Sequence, residues 1–373
     1  MSLTALSPRP RIDIILPSKE RFTAANAGAI SGVVLDLVMA SEARAQFRVV
    51  GTAVDVPLAG PNFLGVKPVG SWFRGNNIAT AAGYLGHIAT HGAPDMIEVH
   101  SRCHVADYIA SKRPDCTVTL YLHNDPRDMK GARTTRERAA LLDKLAGVIC
   151  VSDYIRACFL DGLPDNADAQ RKVRTARNGA NRWLDSPAEK QPFILIAGRM
   201  VPEKGILECA TAIATVLATH PQWRLVIAGA RRFEEAAPGS YEAQIADAIA
   251  PLGERAEMLG FIPRDQVLAL QADAAISACP SIWHDPMPKA VLESLAAGCA
   301  LLTTRRGGIA EAAEGRAHIV DDPTTANFIT AVEKLVGDDD YRQSLQRAAW
   351  EDFPFTATQM AIDADTARAD FLA

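Results

Sequence analysis

"PFILIAGRMVPEKG", Pro192 to Gly205, is an apolar run that ends in a glycine and hands over to the helix-like stretch "ILECATAIATVLATH". A continuous apolar run followed by a turn and a helix is the spelling of a strand covered on both faces, as in parallel α/β sheets. The same stretch puts Arg199 at the strand end and Lys204 at the helix start, bracketed by Gly198 and Gly205. Two fixed cations beside a helix N-terminus suit an anion, most often a phosphate. The spacing is not a Walker loop, which needs Ser or Thr after the lysine, and it is not G-x-G-x-x-G. Two side chains able to clamp one diphosphate remain. A solvated surface pair has the same spelling.

Outward from this stretch the pattern repeats. Before it come the strand-like runs "RIDIILP", "QFRVVGTAV", "DMIEVHS", "TVTLYLH", "GVICVS" and "KVRTARN". With and after it come "PFILIAG", "WRLVIAG", "AEMLGF", "AAISACP", "ALLTTR" and "AHIV". Helical segments such as "AISGVVLDLVMASEA", "TTRERAALLDKLAG" and "KAVLESLAAG" lie between them. Such alternation implies right-handed βαβ units in parallel sheets, and it happens twice. The polar stretch "NRWLDSPAEKQP" (Asn181–Pro192) separates the two series. The expected layout is a first Rossmann-like domain over 1–185, a second over 186–352, and a terminal helix over 353–373 that packs back on the first. Two doubly wound domains of this kind are expected to face each other across a cleft, with ligands at the carboxyl ends of the strands.

The bulk numbers fit. The chain has 373 residues, 48% hydrophobic and 22% charged, enough core material for two domains of ordinary size. A net charge of −5 argues against a dedicated nucleic-acid binder. It hides an asymmetry: 24 Lys+Arg stand against 19 Asp+Glu in residues 1–190, and 15 against 25 in 191–373. A basic first half suits an anionic acceptor or a membrane surface; scattered solvated charge explains it equally well. The seven cysteines show no C-x-x-C pair, as in a reducing compartment. The N-terminal "MSLTALSPRPRIDIILPSK" reads as neither signal peptide nor membrane span. A cytoplasmic location is expected.

A second chemical element is "WHDPMPKAVLESLAAGCALLTTRRGGIAE" (Trp283–Glu311). Asp285 lies in a loop, and Glu293 lies about two turns into a helix that Pro288 can start. A carboxylate accepting from two vicinal hydroxyls is the usual grip on a ribose. Ala290, Val291, Leu292, Leu295 and Ala296 make this helix apolar over most of its circumference, so Glu293 is expected half-buried and in need of a partner. A capping role for Asp285 and a surface position for Glu293 are the plain alternatives.

The order "GRMVPEKG", then D-x7-E running into "LAAGCALLTTRRGGIAE", resembles the retaining, nucleotide-sugar-dependent glycosyltransferases of family 4, which have the GT-B fold. "TVTLYLHNDP", "GVICVSDYIRACFL" and "RNGAN" are similar to that family's first-domain segments. "IEVHSR", "LYLHNDP" and "ICVSDYI" together look closest to the spore-coat and surface-polysaccharide branch. The resemblance implies that Arg199 and Lys204 bind the diphosphate of a UDP or GDP sugar, that Glu293 holds its ribose, and that Asp285 contacts the transferred sugar. It implies phosphate contacts from Met287, Lys289 and Ala290 at the helix start, and from Gly28 and Gly198 where backbone approaches the donor. His123 would sit near the sugar carbon at which the bond breaks, and Phe261 and Ile262 near the base, with a core role for Phe261 left open. Transfer with retention, no metal and no cofactor beyond the nucleotide sugar are implied, together with a glycan or lipid-linked acceptor, peripheral contact with the inner membrane and no nucleic acid.

Some residues depart from the family pattern or fit it loosely. Asp285 stands where Glu is usual, "PMPK" replaces the following glycines, and Asn181 replaces an aspartate. "AGARR" lacks the family's acidic ending, leaving Arg231 and Arg232 to meet phosphate or solvent. "HSRCH" (His100, Cys103, His104) lacks further ligands for zinc, and His100 is expected at a strand end facing the cleft. Arg127, Lys130, Arg133 and Arg136 form a basic cluster suited to an anionic acceptor or to plain solvation. Two other readings stay open: a non-catalytic two-domain sugar- or nucleotide-binding protein, and a GT-B nucleotide-sugar epimerase.

Overall fold

The computed structural model describes residues 10–24, 28–230 and 240–373. The chain divides into two compact units. One contains the residues up to Gly179 together with Ala357–Ala373, and the other is Ala180–Thr356. These divisions fall four to six residues from the limits expected at 185 and 352.

The first unit holds strands β1 (Ile12–Ile15), β2 (Phe47–Thr52), β3 (Asn62–Val66), β4 (Met96–His100), β5 (Thr117–Leu122), β6 (Gly147–Cys150) and β7 (Val173–Thr175). They form one parallel sheet in the order β3-β2-β1-β4-β5-β6-β7. Period-two alternation sends Ile15, Val50, Ile97 and Val99 into one apolar cluster, and Ile14, Leu16, Phe47, Val49 and Met96 into another. Both faces of the sheet are therefore buried, which is why its strands read as continuous apolar runs. β3 is the one strand the sequence reading passed over. It lies at the sheet edge, is largely exposed, and follows a Pro- and Gly-rich loop, so it lacks an apolar run.

In the second unit, β8 (Gln191–Ala197), β9 (Arg224–Ala228), β10 (Ala256–Gly260), β11 (Ala274–Cys279), β12 (Ala300–Thr304) and β13 (Ala317–Val320) pair in the parallel order β10-β9-β8-β11-β12-β13. Ile194 and Ile196 face one cluster and Phe193 and Leu195 another. In each sheet the strand order reverses once, between β1 and β4 and between β8 and β11. Open α/β sheets bind ligands outside the carboxyl ends of the strands at such a reversal. Gly198–Gly205 follows β8, Pro280–Asp285 follows β11, and His100 ends β4. The terminal helix Ala357–Leu372 belongs to the first unit, where Met360, Ala361 and Ala364 join its core.

Candidate functional site

In the second unit, β8 ends where three backbones converge. Gly198 N donates to Ala228 O at 3.0 Å, and Gly229 N donates to Gly260 O at 2.7 Å. A side chain at Gly229 would be driven into the Gly198 carbonyl, so the chain there has to be bare. Past Gly198 the backbone forms a 3₁₀ turn, Pro202–Lys204, before the helix Ile206–Leu217. Lys204 therefore lies in that turn rather than in the helix. Gly205 joins the two at φ +63°, and a Cβ there would collide with Pro280 O. Ile282 N and Trp283 N both donate to Glu203 O at 3.1 Å. The two loops outside β8 and β11 are thus stitched together by backbone.

That stitching brings two expected residues into contact. The Lys204 ammonium pairs with the Asp285 carboxylate, which is 6% exposed as a residue. Asp285 O accepts from Gly308 N at 2.8 Å, and a Cβ at Gly307 (φ +59°) would strike the same carbonyl. The "RRGG" glycines are thereby explained as the bed on which Asp285 rests. Arg199 is exposed, and among the described residues no carboxylate pairs with it.

Glu293 lies on the helix Lys289–Ala296, which Pro288 caps, and is 7% exposed. The partner that its burial demanded is Arg264, whose Nε and Nη2 both donate to Glu293 Oε1, at 3.0 and 2.8 Å. Arg264 opens the helix Arg264–Asp273, directly after β10. The sequence reading missed it, although it lies two residues past Ile262, because only folding sets it against Glu293. Phe261 is 54% exposed and takes no core role, whereas Ile262 packs against the buried cluster that holds Phe193 and Leu195. Met287 is buried in the apolar cluster beside the Glu293 helix, and Lys289 and Ala290 are half-buried in its first turn. Arg231 and Arg232 lie outside the described residues.

In the first unit, His123 follows β5 and is 8% exposed. Its Nε2 lies 2.8 Å from His100 Nδ1, and His100 Nε2 lies 3.0 Å from Glu98 Oε1. Glu98 also accepts from Arg368 of the terminal helix, Nε to Oε2 at 2.9 Å and Nη2 to Oε1 at 2.7 Å. Burial raises the Glu98 pKa, but Arg368 and His100 more than reverse this and bring it down to about 2. Burial also lowers His100, and it takes His123 well below the usual imidazole range, with His100 and Arg102 adding to the shift. Ser101, between His100 and Arg102, has φ +50° and is the one non-glycine at positive φ among the described residues. Its Oγ accepts from His123 N at 3.1 Å. A strained residue held by its neighbours at a strand end is a mark of a working site. His100 was expected to face a cleft; it is instead fully buried against Tyr121 and His123.

Gly28 caps the helix Ala29–Ala40 with φ −76°, so its conformation asks for no glycine. The Glu20 carboxylate sits where a Cβ would go and accepts from Ser31 N and Oγ at 3.3 Å. The position assigned to a phosphate thus has a carboxylate beside it. Arg127 is bound to Asp125 and Asp161, while Lys130, Arg133 and Arg136 are exposed. Arg138, in the same run, is buried and donates to the carbonyls of Phe159 and Ala132. Asp-x-Asp triplets occur at Asp338–Asp340 and Asp363–Asp365, where Asp338 caps a helix and Asp365 is held by Arg368 and Ser41. Among the described residues no three His, Cys, Asp or Glu side chains converge as metal ligands, and no helix is long and apolar enough to cross a membrane.

Residues 180–352 match the model of the glycosyl transferases group 1 family. The chain is 25% identical to a putative glycosyltransferase, YtcC, of Bacillus subtilis, over 68% of this chain and 67% of that one. It is 22% identical to spore coat protein SA of the same organism, over 59% of this chain and 62% of that one. The matched segments thus span about two thirds of these relatives. The fold is shared with Anabaena HepE, solved in complex with UDP and glucose: TM-score 0.73 at 16% identity, covering 97% of this chain and all of that one. With its two doubly wound sheets the chain has the GT-B fold, and its second unit matches the group 1 glycosyltransferase model.

Proposed function

We propose that the protein moves a sugar, with retention, from a nucleotide-diphosphate donor to a glycan or lipid-linked acceptor in surface polysaccharide synthesis, and that it does so without a metal. One observation carries the reading: Arg199, exposed and without a carboxylate partner among the described residues, follows the carboxyl end of β8, where the strand order reverses, in the same loop that carries Lys204. When the bond between the sugar carbon and the diphosphate oxygen breaks, its electron pair leaves with the diphosphate. Arg199 and Lys204 neutralise that charge in the place a cation would take. The acceptor oxygen forms the new bond and passes its proton to the departing phosphate. Glu293 retains Oε2 for the ribose hydroxyls while Arg264 holds Oε1.

UDP is the first donor base to try, since HepE is described in complex with it. A cytoplasmic location is supported by the seven cysteines, all free thiols. Peripheral contact with the inner membrane, or with an anionic acceptor, is supported by exposed Lys130, Arg133 and Arg136. The test is calorimetry with UDP and GDP on the wild type, Lys204→Ala and Glu293→Ala. A charge-assisted contact is worth about 1.5–3 kcal/mol, so each variant is expected to bind roughly 10- to 100-fold more weakly. Unchanged affinity in both defeats the assignment. Incubation with nucleotide sugars alone separates transfer from epimerisation: slow hydrolysis supports the first, and a second nucleotide sugar the second.

A further inference from the structure

His123 has one ring nitrogen in use. Nε2 meets His100, and among the described residues Nδ1 makes no hydrogen bond. The ring's tautomer then decides whether Nδ1 offers a proton or a lone pair, and the answer can be worked outward from the buried end of the network. Glu98 is a carboxylate, fully buried and gripped by two donors of Arg368, so it can only accept. His100 Nε2 must therefore carry a proton and donate it to Glu98. Protonation of both His100 nitrogens would charge a ring that is fully buried, so Nδ1 of His100 is bare and accepts. His123 Nε2 must then be the donor. The remaining nitrogen, Nδ1 of His123, carries a lone pair.

We infer that Glu98, acting through His100 and anchored by Arg368, is a positioning residue that fixes His123 in its Nε2–H tautomer, so that Nδ1 presents a lone pair to a hydroxyl. The inference rests on the proposed function only in taking that hydroxyl to be a sugar's. Strand geometry builds the device. Glu98 and His100 are two residues apart on β4 and share a face, and the register pairs His100 with Tyr121, which puts His123 on the same side one step beyond. Tyr121 stacks on both imidazoles, with centroids 4.7 and 5.1 Å away, and holds their planes. At its inner end the network meets the guanidinium of Arg368, which stays protonated and relays no proton. Arg368 also lies over the Phe47 ring at 4.8 Å and reaches Asp365 at 2.8 Å. The network is a lock, not a proton wire. The charged and titratable groups around His123 are His100, Glu98, Arg102 and the stacked Tyr121, with Arg368 behind them.

The experiment uses full-length protein labelled with ¹⁵N-histidine, with the imidazole nitrogens observed by long-range proton–nitrogen correlation and His123 assigned through His123→Gln. The wild type is expected to show His123 as a single neutral Nε2–H tautomer. His100→Phe removes the acceptor, and the pattern is expected to become a tautomer mixture. His100→Gln can donate to Glu98 and accept from His123, so it is expected to restore the wild-type pattern. With a nucleotide sugar turned over by the wild type, His100→Phe should lower kcat roughly 10-fold with KM for the donor nearly unchanged, and His100→Gln should recover most of it. An Nδ1–H tautomer in the wild type, or the same tautomer in His100→Phe as in the wild type, overturns the inference. If no nucleotide sugar is turned over, the proposed function fails while the spectra still decide the tautomer.

Discussion

Replacing Lys204 with methionine keeps most of its stem and removes its charge, leaving the Asp285 carboxylate buried without a cation. At 4 Å and an effective dielectric of 20, two unit charges attract by about 4 kcal/mol. The Lys204 side chain is 21% exposed and that of Asp285 is 8%. Solvent reaches one partner, and holding the lysine chain costs entropy, so about half that figure survives, near 2 kcal/mol. This lies between the ~0–1 kcal/mol of exposed pairs and the ~3–5 kcal/mol of fully buried ones. For a unit of this size the loss corresponds to a fall in Tm of roughly 4–8 °C. A double-mutant cycle with Asp285→Asn, followed by urea unfolding, isolates the pairwise energy. Lys204→Met should cost about 2 kcal/mol, and the double variant should regain most of what the two single variants lose together. The same variants separate structure from function in UDP calorimetry. Asp285→Asn releases Lys204 and should leave UDP affinity intact or improve it, whereas Lys204→Met should weaken it. A coupling energy below about 0.5 kcal/mol refutes the electrostatic reasoning. Equal loss of UDP affinity in both single variants refutes the assignment of Lys204 to the diphosphate.

Acid should weaken the first unit through its buried imidazoles. His100 and His123 have folded pKa values below the 6.5 of an unperturbed imidazole, so below pH 6.5 the unfolded chain binds protons that the folded chain refuses. Their contribution is then fully present above pH 6.5 and falls by at most about 2.7 kcal/mol per pH unit below it, and His100→Gln should remove about half of that contribution. Urea unfolding at pH 7.5, 6 and 5 reads this, and a flat profile contradicts it. Glu98 adds a second loss as pH falls from 4.5 toward 2. Arg368→Met strands the Glu98 carboxylate at zero exposure and should cost about 3–5 kcal/mol by the same measurement; a loss under 1 kcal/mol would mean that Glu98 is not charged. Gly205→Ala should cost clearly more than Gly298→Ala. Both sit near φ +65°, but the first meets the Pro280 carbonyl and the second only lies at ordinary distance from Trp350, so equal losses would discount the close approach.

Much of the fold was legible because its causes are local. The continuous runs at Ile12–Ile15, Phe193–Ile196 and Leu225–Ala228 have no polar residue to face water, apart from the paired Asp13, so they spell strands buried on both faces. The helix expected in "TTRERAALLDKLAG" forms, and Thr134 and Glu137 close a capping box at its start. The apolar surroundings of Glu293 announced burial and the need for a partner, and Lys204 and Asp285 were both named before they were seen to touch. β3 escaped because an exposed edge strand needs no apolar run.

What the sequence could not supply was the other end of each long-range contact. Arg264 is 29 residues from Glu293, and Arg368 is 270 residues from Glu98. A side chain's hydrophobicity and spacing record which way it faces on its own strand or helix. Which distant cation arrives to neutralise a buried carboxylate is set by strand order and by where the terminal helix docks. The chain alone therefore determined the alternating elements and the residues at the strand ends. Tertiary structure alone decided that His100, expected to look outward, would be buried between Glu98 and His123, because packing a charge requires its counter-charge to be brought from elsewhere in the chain.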